Sequence, residues 1–276
     1  MYVCFQQTGS DKKVKSFFSE WKTPNFHILV TGMKIFSTFI FLFLLAACSP
    51  FYQARQVSYE GYRISGQRTD SAMHAMLQPY SDSINKSMSA VVVTLANNLE
   101  KKQPEGTLGN FMADALLAMA EKVFGEKPDA AFMNNGGIRL PSVSAGPVTR
   151  GKIFELFPFD NTLVLVTIKG DVLQQFLDHI SSRGGWPVAG MTMKIKNKKA
   201  IDVLIAGKKL DPAATYTIAL GDYTANGGDD AAMLVGLPQK NRGYLMRDAL
   251  FDYLKIYQQK GMLLSVQTEN RVMYVE

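Results

Sequence analysis

The chain has few of the residues that most directly announce chemistry. Its 276 residues include two cysteines, three histidines and two tryptophans. So few cysteines exclude a disulfide-stapled miniprotein. His27, His74 and His179 are far apart, and the last two fall on expected helices without ligand-spaced neighbours. No Ser-His-Asp arrangement and no phosphate-binding P-loop is evident. Long apolar stretches are also missing, and a mean hydropathy of −0.02 excludes a polytopic membrane protein. Disorder and a collagenous repeat are excluded by 47% hydrophobic and 20% charged residues with 22 Gly and 11 Pro. The length suits one large domain or two small ones, with a sizeable core.

The formal charge of +6 and a pI near 9.1 look basic enough for nucleic acid. The excess is unevenly placed. Residues 1–47 hold five lysines (Lys12, Lys13, Lys15, Lys22, Lys34) and two acids (Asp11, Glu20). Thirty basic residues less these five leave 25, and 24 acidic residues less two leave 22, a net of +3. Lys194, Lys196, Lys198 and Lys199 flank a turn at Asn197 and read as a solvated hairpin rather than a polyanion site. No nucleic-acid partner is expected.

The one apolar run that stands out is residues 35–47, thirteen positions behind Met33-Lys34. A bilayer span needs roughly 20 residues, whereas a signal-peptide core needs about 7–15. The run ends Leu45-Ala46-Ala47-Cys48. That ending resembles the bacterial lipoprotein signal, whose cysteine thiol takes the lipid; the competing reading is an ordinary signal peptide or a buried helix. The expected organisation is a mis-called extension over 1–32, a lipoprotein signal over 33–47, a tether over 48–66 and one domain over 67–276. The expected location is the bacterial cell envelope, lipid-anchored through Cys48. The mature chain then holds no second cysteine, which argues against redox chemistry or a cysteine nucleophile.

Periodicity predicts helices over residues 71–86, with Pro79 a candidate break, over 107–124 and over 172–182, and a late one around Leu245–Tyr257. Strands are expected over 90–95, 130–133, 161–168 and 216–220, a hairpin over 191–195 and 200–205, and a closing strand over 271–275. Strands and helices intermix, so the fold class is α+β, a mixed β-sheet with flanking helices.

Three loops could carry chemistry. Asn134-Asn135-Gly136-Gly137-Ile138-Arg139 follows a short strand. Asn and Gly tolerate the sharp turn, and without Cβ atoms the backbone can lie against a ligand. Arg139 presents a planar cation there for phosphate or carboxylate, unless the loop is a plain turn with a solvated arginine. Asp222 to Asp229 repeats these ingredients and adds Tyr223. Leu156-Phe157-Pro158-Phe159-Asp160-Asn161 sets aromatics around a proline. Two aromatics on separate loops can hold a flat ring, and a nearby carboxylate can accept both hydroxyls of a ribose.

Together with Pro104-Glu105-Gly106-Thr107-Leu108-Gly109-Asn110, these loops resemble the C-terminal domain of the 5′-nucleotidases over residues 67–276. The resemblance implies that Phe159 and Tyr223 stack on the base and that Asn134 sits near it. It places Arg139 toward the ribose–phosphate end and Asp229 on the ribose hydroxyls, with Gly136 and Gly137 shaping the loop. Tyr223 stands where the family usually has phenylalanine, and Asp230 where glycine is common. Lys101 and Lys102 stand in the region of a family arginine. Full-length members hydrolyse with a separate metallophosphoesterase domain, which this sequence does not contain. The resemblance therefore implies the nucleotide-binding half of a split 5′-nucleotidase, working in nucleotide catabolism. It implies no catalytic residue, metal or cofactor in this chain, and divalent metals in a partner chain. The alternatives are a non-catalytic envelope nucleoside- or nucleotide-binding lipoprotein and a structural lipoprotein with a decayed site.

Overall fold

The computed structural model describes residues 70–276. The apolar run, Cys48 and the tether lie outside the described residues. In chain order the elements are α1 (Ser71–Met88), β1 (Val91–Leu95), β2 (Leu99–Glu100), α2 (Thr107–Phe124), β3 (Ala130–Phe132), β4 (Ser142–Val143), β5 (Gly146–Thr149), α3 (Arg150–Leu156), β6 (Thr162–Lys169) and α4 (Gly170–Ser182). There follow β7 (Val188–Ala189), β8 (Met191–Lys196), β9 (Lys199–Ile205), β10 (Lys208–Lys209), β11 (Thr215–Gly221), α5 (Asp222–Ala225), β12 (Gln239–Leu245), α6 (Met246–Gln259) and β13 (Val272–Tyr274).

The main sheet has five strands in the order β12-β6-β11-β3-β7, antiparallel except for the β11–β3 pair. Both of its faces are buried except along the exposed edge strand β12. Along β6, Leu163 and Leu165 enter one core while Val164, Val166 and Ile168 enter the other. This is the two-residue alternation of a strand applied to two apolar layers, so the sequence reads as a continuous hydrophobic run. The first core holds α2 and α6. Leu108, Phe111, Met112, Ala115, Leu116 and Met119 of α2 are buried at helical spacing. The second core holds α4, through Leu173, Phe176, Leu177 and Ile180, together with β8 and β9. A second sheet has the order β10-β9-β8-β13. Its β8–β9 hairpin turns through Asn197 and Lys198 at φ +50° and +63°, as the sequence predicts. The fold is α+β with mixed sheets.

One expectation needs correction. Helix α1 does not break at Pro79 but runs unbroken to Met88. Proline removes one backbone donor, and none of this helix is buried, so water can satisfy the carbonyl left over. The short elements β2, β4, β5, α3 and β7, and the seven-residue edge strand β12, have no counterpart in the sequence-based expectations.

The topology decides where the site lies. Strands β3 and β11 run parallel, and β6 runs antiparallel to β11. The C-terminal ends of β3 and β11 and the N-terminal end of β6 therefore meet at one edge of the sheet. Each of the three loops singled out in the sequence leaves or enters there.

Candidate nucleotide-binding site

Asn134, Gly136, Gly137, Arg139, Phe159, Tyr223 and Asp229 all line one cavity of about 330 Å³. The structure thus brings together all seven substrate-binding residues expected from the sequence, and adds Asn161 to the wall. The fourth motif lies elsewhere and is structural. Asn110 is buried and donates to Glu105 Oε1 at 2.7 Å and to the Gln267 carbonyl at 3.1 Å. Glu105 also accepts the amides of Glu269 and Arg271. That motif pins the C-terminal segment to the start of α2.

The first loop turns tightly after β3, with the Gly137 amide donating to the Asn134 carbonyl at 3.0 Å. A Cβ at Gly137 would lie 2.6 Å from Asn134 Oδ1 and 2.7 Å from Met133 Cε, so a side chain there would displace both. Arg139 is exposed, and its Nη1 donates only weakly to the Gly136 carbonyl, at 3.3 Å. Its guanidinium lies 5.8 Å from the Phe159 ring centroid and has no carboxylate partner among the described residues. Beside it, Lys101 Nζ donates to the Ile138 carbonyl at 2.9 Å. Burial, and then the charge of Arg139, lower the Lys101 pKa below its ordinary value. Two cations thus act on each other at this loop, and neither is paired with an acid among the described residues.

The Phe159 loop is held from below. Phe157 is fully buried and meets Phe159 edge-on, with centroids 5.5 Å apart. Arg247, buried on α6, donates to the Phe159 carbonyl at 3.1 Å and to Asp160 Oδ1 at 2.5 Å. Phe159 remains 38% exposed.

The third loop starts from Asp222, which ties α5 to β6. Its Oδ2 accepts the Thr162 hydroxyl at 2.7 Å, and its Oδ1 accepts the Thr162 and Tyr223 amides. Tyr223 is 49% exposed, and its ring lies so close to Gly228 that a Cβ there would sit 2.5 Å from it. Asn134 Nδ2 donates to Asp229 Oδ2 at 2.8 Å. His179 Nε2 meets the Asp229 carbonyl at 2.8 Å. His179 and Arg247 thus support the site without lining it. No sequence signal marks either one, because both reach the loops from helices distant in the chain.

The arrangement offers two part-exposed aromatic faces, a carboxylate and an arginine around one concavity. That is a recognition surface for a flat ring carrying hydroxyls and an anionic group. Among the described residues, no group of three or more His, Cys, Asp or Glu gathers as a metal ion requires.

Comparison with known proteins gives a consistent likeness. Residues 87–236 match the family model described as "5'-nucleotidase, C-terminal domain". The chain is 29% identical over 202 residues to a 5′-nucleotidase of Vibrio cholerae, covering 68% of this chain and 35% of that protein. It is 30% identical over 199 residues to Endonuclease YhcR of Bacillus subtilis, covering 16% of that protein. The structure of a 5′-nucleotidase precursor from Thermus thermophilus superposes with a TM-score of 0.64 at 26% identity, covering 73% of this chain and 43% of that one. The chain spans about a third of the length of the Vibrio relatives it matches.

Proposed function

The chain belongs to the 5′-nucleotidase C-terminal domain family, and we propose that it is the nucleotide-binding half of a split 5′-nucleotidase. Phe159 and Tyr223 sandwich the base, with Asn134 near it. Asp229 accepts the ribose hydroxyls, and Arg139 faces the phosphate end. A separate metallophosphoesterase chain supplies the divalent metals, which activate water and stabilise the charge on the phosphoryl group. This chain contributes binding and orientation, presenting the phosphate to that partner. Cys48 carries the lipid that keeps the protein at the bacterial envelope, on residues 48–66 as a tether.

The observation that carries this reading is the convergence of Phe159, Tyr223, Asp229 and Arg139 on one cavity from three separate loops. Ordinary core aromatics are buried, as Phe157 is at 0% exposure, whereas Phe159 and Tyr223 keep accessible faces. The test is phosphate release from AMP with Mn²⁺, Mg²⁺ or Zn²⁺. The purified chain alone is expected to release none, and activity is expected when a metallophosphoesterase chain lacking its own C-terminal domain is added from the same genome. Robust turnover by the chain alone overturns the split arrangement. Nucleoside binding with no partner-dependent turnover marks the alternative, an envelope nucleoside- or nucleotide-binding lipoprotein.

A further inference from the structure

Asp229 and Asp230 occupy the left-handed region in succession, at φ +53° and +59°. Side chains other than glycine rarely adopt that conformation, so surrounding contacts must hold it. Around Asp229 those contacts are complete on three sides. Its amide donates to the Tyr223 hydroxyl at 3.3 Å, its carbonyl meets His179 Nε2 at 2.8 Å, and its Oδ2 accepts from Asn134. A carbonyl only accepts, so His179 Nε2 carries the proton. The next residue, Asp230, pairs with the Arg183 guanidinium. Among the described residues, Oδ1 is the one polar atom of Asp229 left without a protein partner.

His179 and Arg183 lie one turn apart, at the end of α4 and at its cap. The helix is a rigid support, because Phe176, Leu177 and Ile180 are fully buried in the second core. Neither His179 nor Arg183 lines the cavity, so both act through Asp229 and Asp230. The geometry points to His179, supported by Arg183, as the positioning residue for sugar recognition: it holds the 229–230 backbone so that Asp229 Oδ1 stays open to a vicinal diol. This rests on the nucleoside reading given above. The Tyr223 hydroxyl, accepting from the Asp229 amide, ties the stacking ring to the same backbone, which a phenylalanine at that position could not do.

The test uses His179→Phe, which keeps the ring and removes the N–H, and His179→Gln, whose amide can restore a donor at the Nε2 position. Calorimetric titration compares adenosine with 2′,3′-dideoxyadenosine. His179→Phe is expected to lose about fivefold or more in adenosine affinity, the worth of a hydrogen bond. Dideoxyadenosine affinity should stay unchanged, and His179→Gln should recover most of the loss. Arg183→Met should move in the same direction by less, since its ion pair is exposed. Equal losses for both ligands, or none, overturn the assignment. Amide hydrogen exchange reads the same clamp without ligand: exchange at Asp229–Ala231 should quicken in His179→Phe while the α4 amides hold. Unchanged exchange at 229–231 overturns the clamp even where no nucleoside binds, whereas a parent protein that binds no nucleoside overturns the ligand reading alone.

Discussion

Asn134 and Asp229 are 95 positions apart in sequence, yet the Asn134 amide donates to Asp229 Oδ2 at 2.8 Å. This bond closes the cavity between the β3 loop and the β11 loop. It takes up one carboxylate oxygen and leaves the other without a protein partner among the described residues, so the form of the cavity depends on both loops together.

The two aromatic faces should separate binding from stability. Phe159→Ala and Tyr223→Ala should leave the melting temperature nearly unchanged and weaken adenosine binding by roughly 1–3 kcal/mol, about 5- to 150-fold. Phe157→Ala, at a fully buried position, should cost about 3–5 kcal/mol of stability instead. Parallel thermal melts and calorimetric titrations check this. Large stability losses in the first two variants would mean that the rings serve as core.

The polar groups should divide the ligand between them. Asp229→Ala should weaken adenosine but not its dideoxy analogue. Arg139→Ala should weaken AMP more than adenosine by roughly 1.5–3 kcal/mol, the value of a charged hydrogen bond. Titration of the three ligands against each variant measures the discrimination directly.

Lys101 should make stability depend on pH. Its folded-state pKa lies below the ordinary lysine value through burial and the Arg139 charge. Between that lowered value and the ordinary one, the unfolded chain binds more protons than the folded chain, so stability rises with pH across this window. The penalty is full below the folded pKa and gone above the unfolded one. Lys101→Met should flatten that rise in a pH series of denaturant melts, and should weaken AMP more than adenosine. An unaltered slope in the variant would remove Lys101 as its source.

Away from the cavity, Arg271 ties β13 to α2. It is buried, donates to Asp114 through Nη1 at 2.6 Å and Nη2 at 2.9 Å, and reaches the Val188 carbonyl at 3.0 Å. Asp114→Ala leaves the guanidinium with Glu269 as its remaining acid. The expected loss is about 1–3 kcal/mol, less than for a fully buried pair because the Asp114 side chain is partly exposed. Chemical denaturation gives the figure, and a loss within experimental error would show the pair to be dispensable.

At the front of the chain, metabolic labelling with a tagged fatty acid should mark the protein, and Cys48→Ser should abolish the mark. Label that persists on the serine variant would exclude Cys48 as the lipid site.

The α+β class, the long helix α2, the strands β6 and β11 and the β8–β9 hairpin are legible in the sequence alone. Local period and turn chemistry suffice for these, because each buries a face written in its own residues. Clustered glycines and aromatics also marked the three loops in the sequence, and the family resemblance singled out seven of the eight residues of the cavity wall. The tertiary structure decided the rest. The short strands β2, β4, β5 and β7 carry too few residues for a period to show, and each pairs only because the fold brings it a partner distant in the chain. Pro79 reads as a break, yet the exposed helix tolerates it. Above all, His179, Arg247 and the Asn134–Asp229 bond depend on the parallel β3–β11 pairing and on the packing of α4 and α6. Their chemistry arises from contacts between residues far apart in the chain, and no local pattern encodes such a contact.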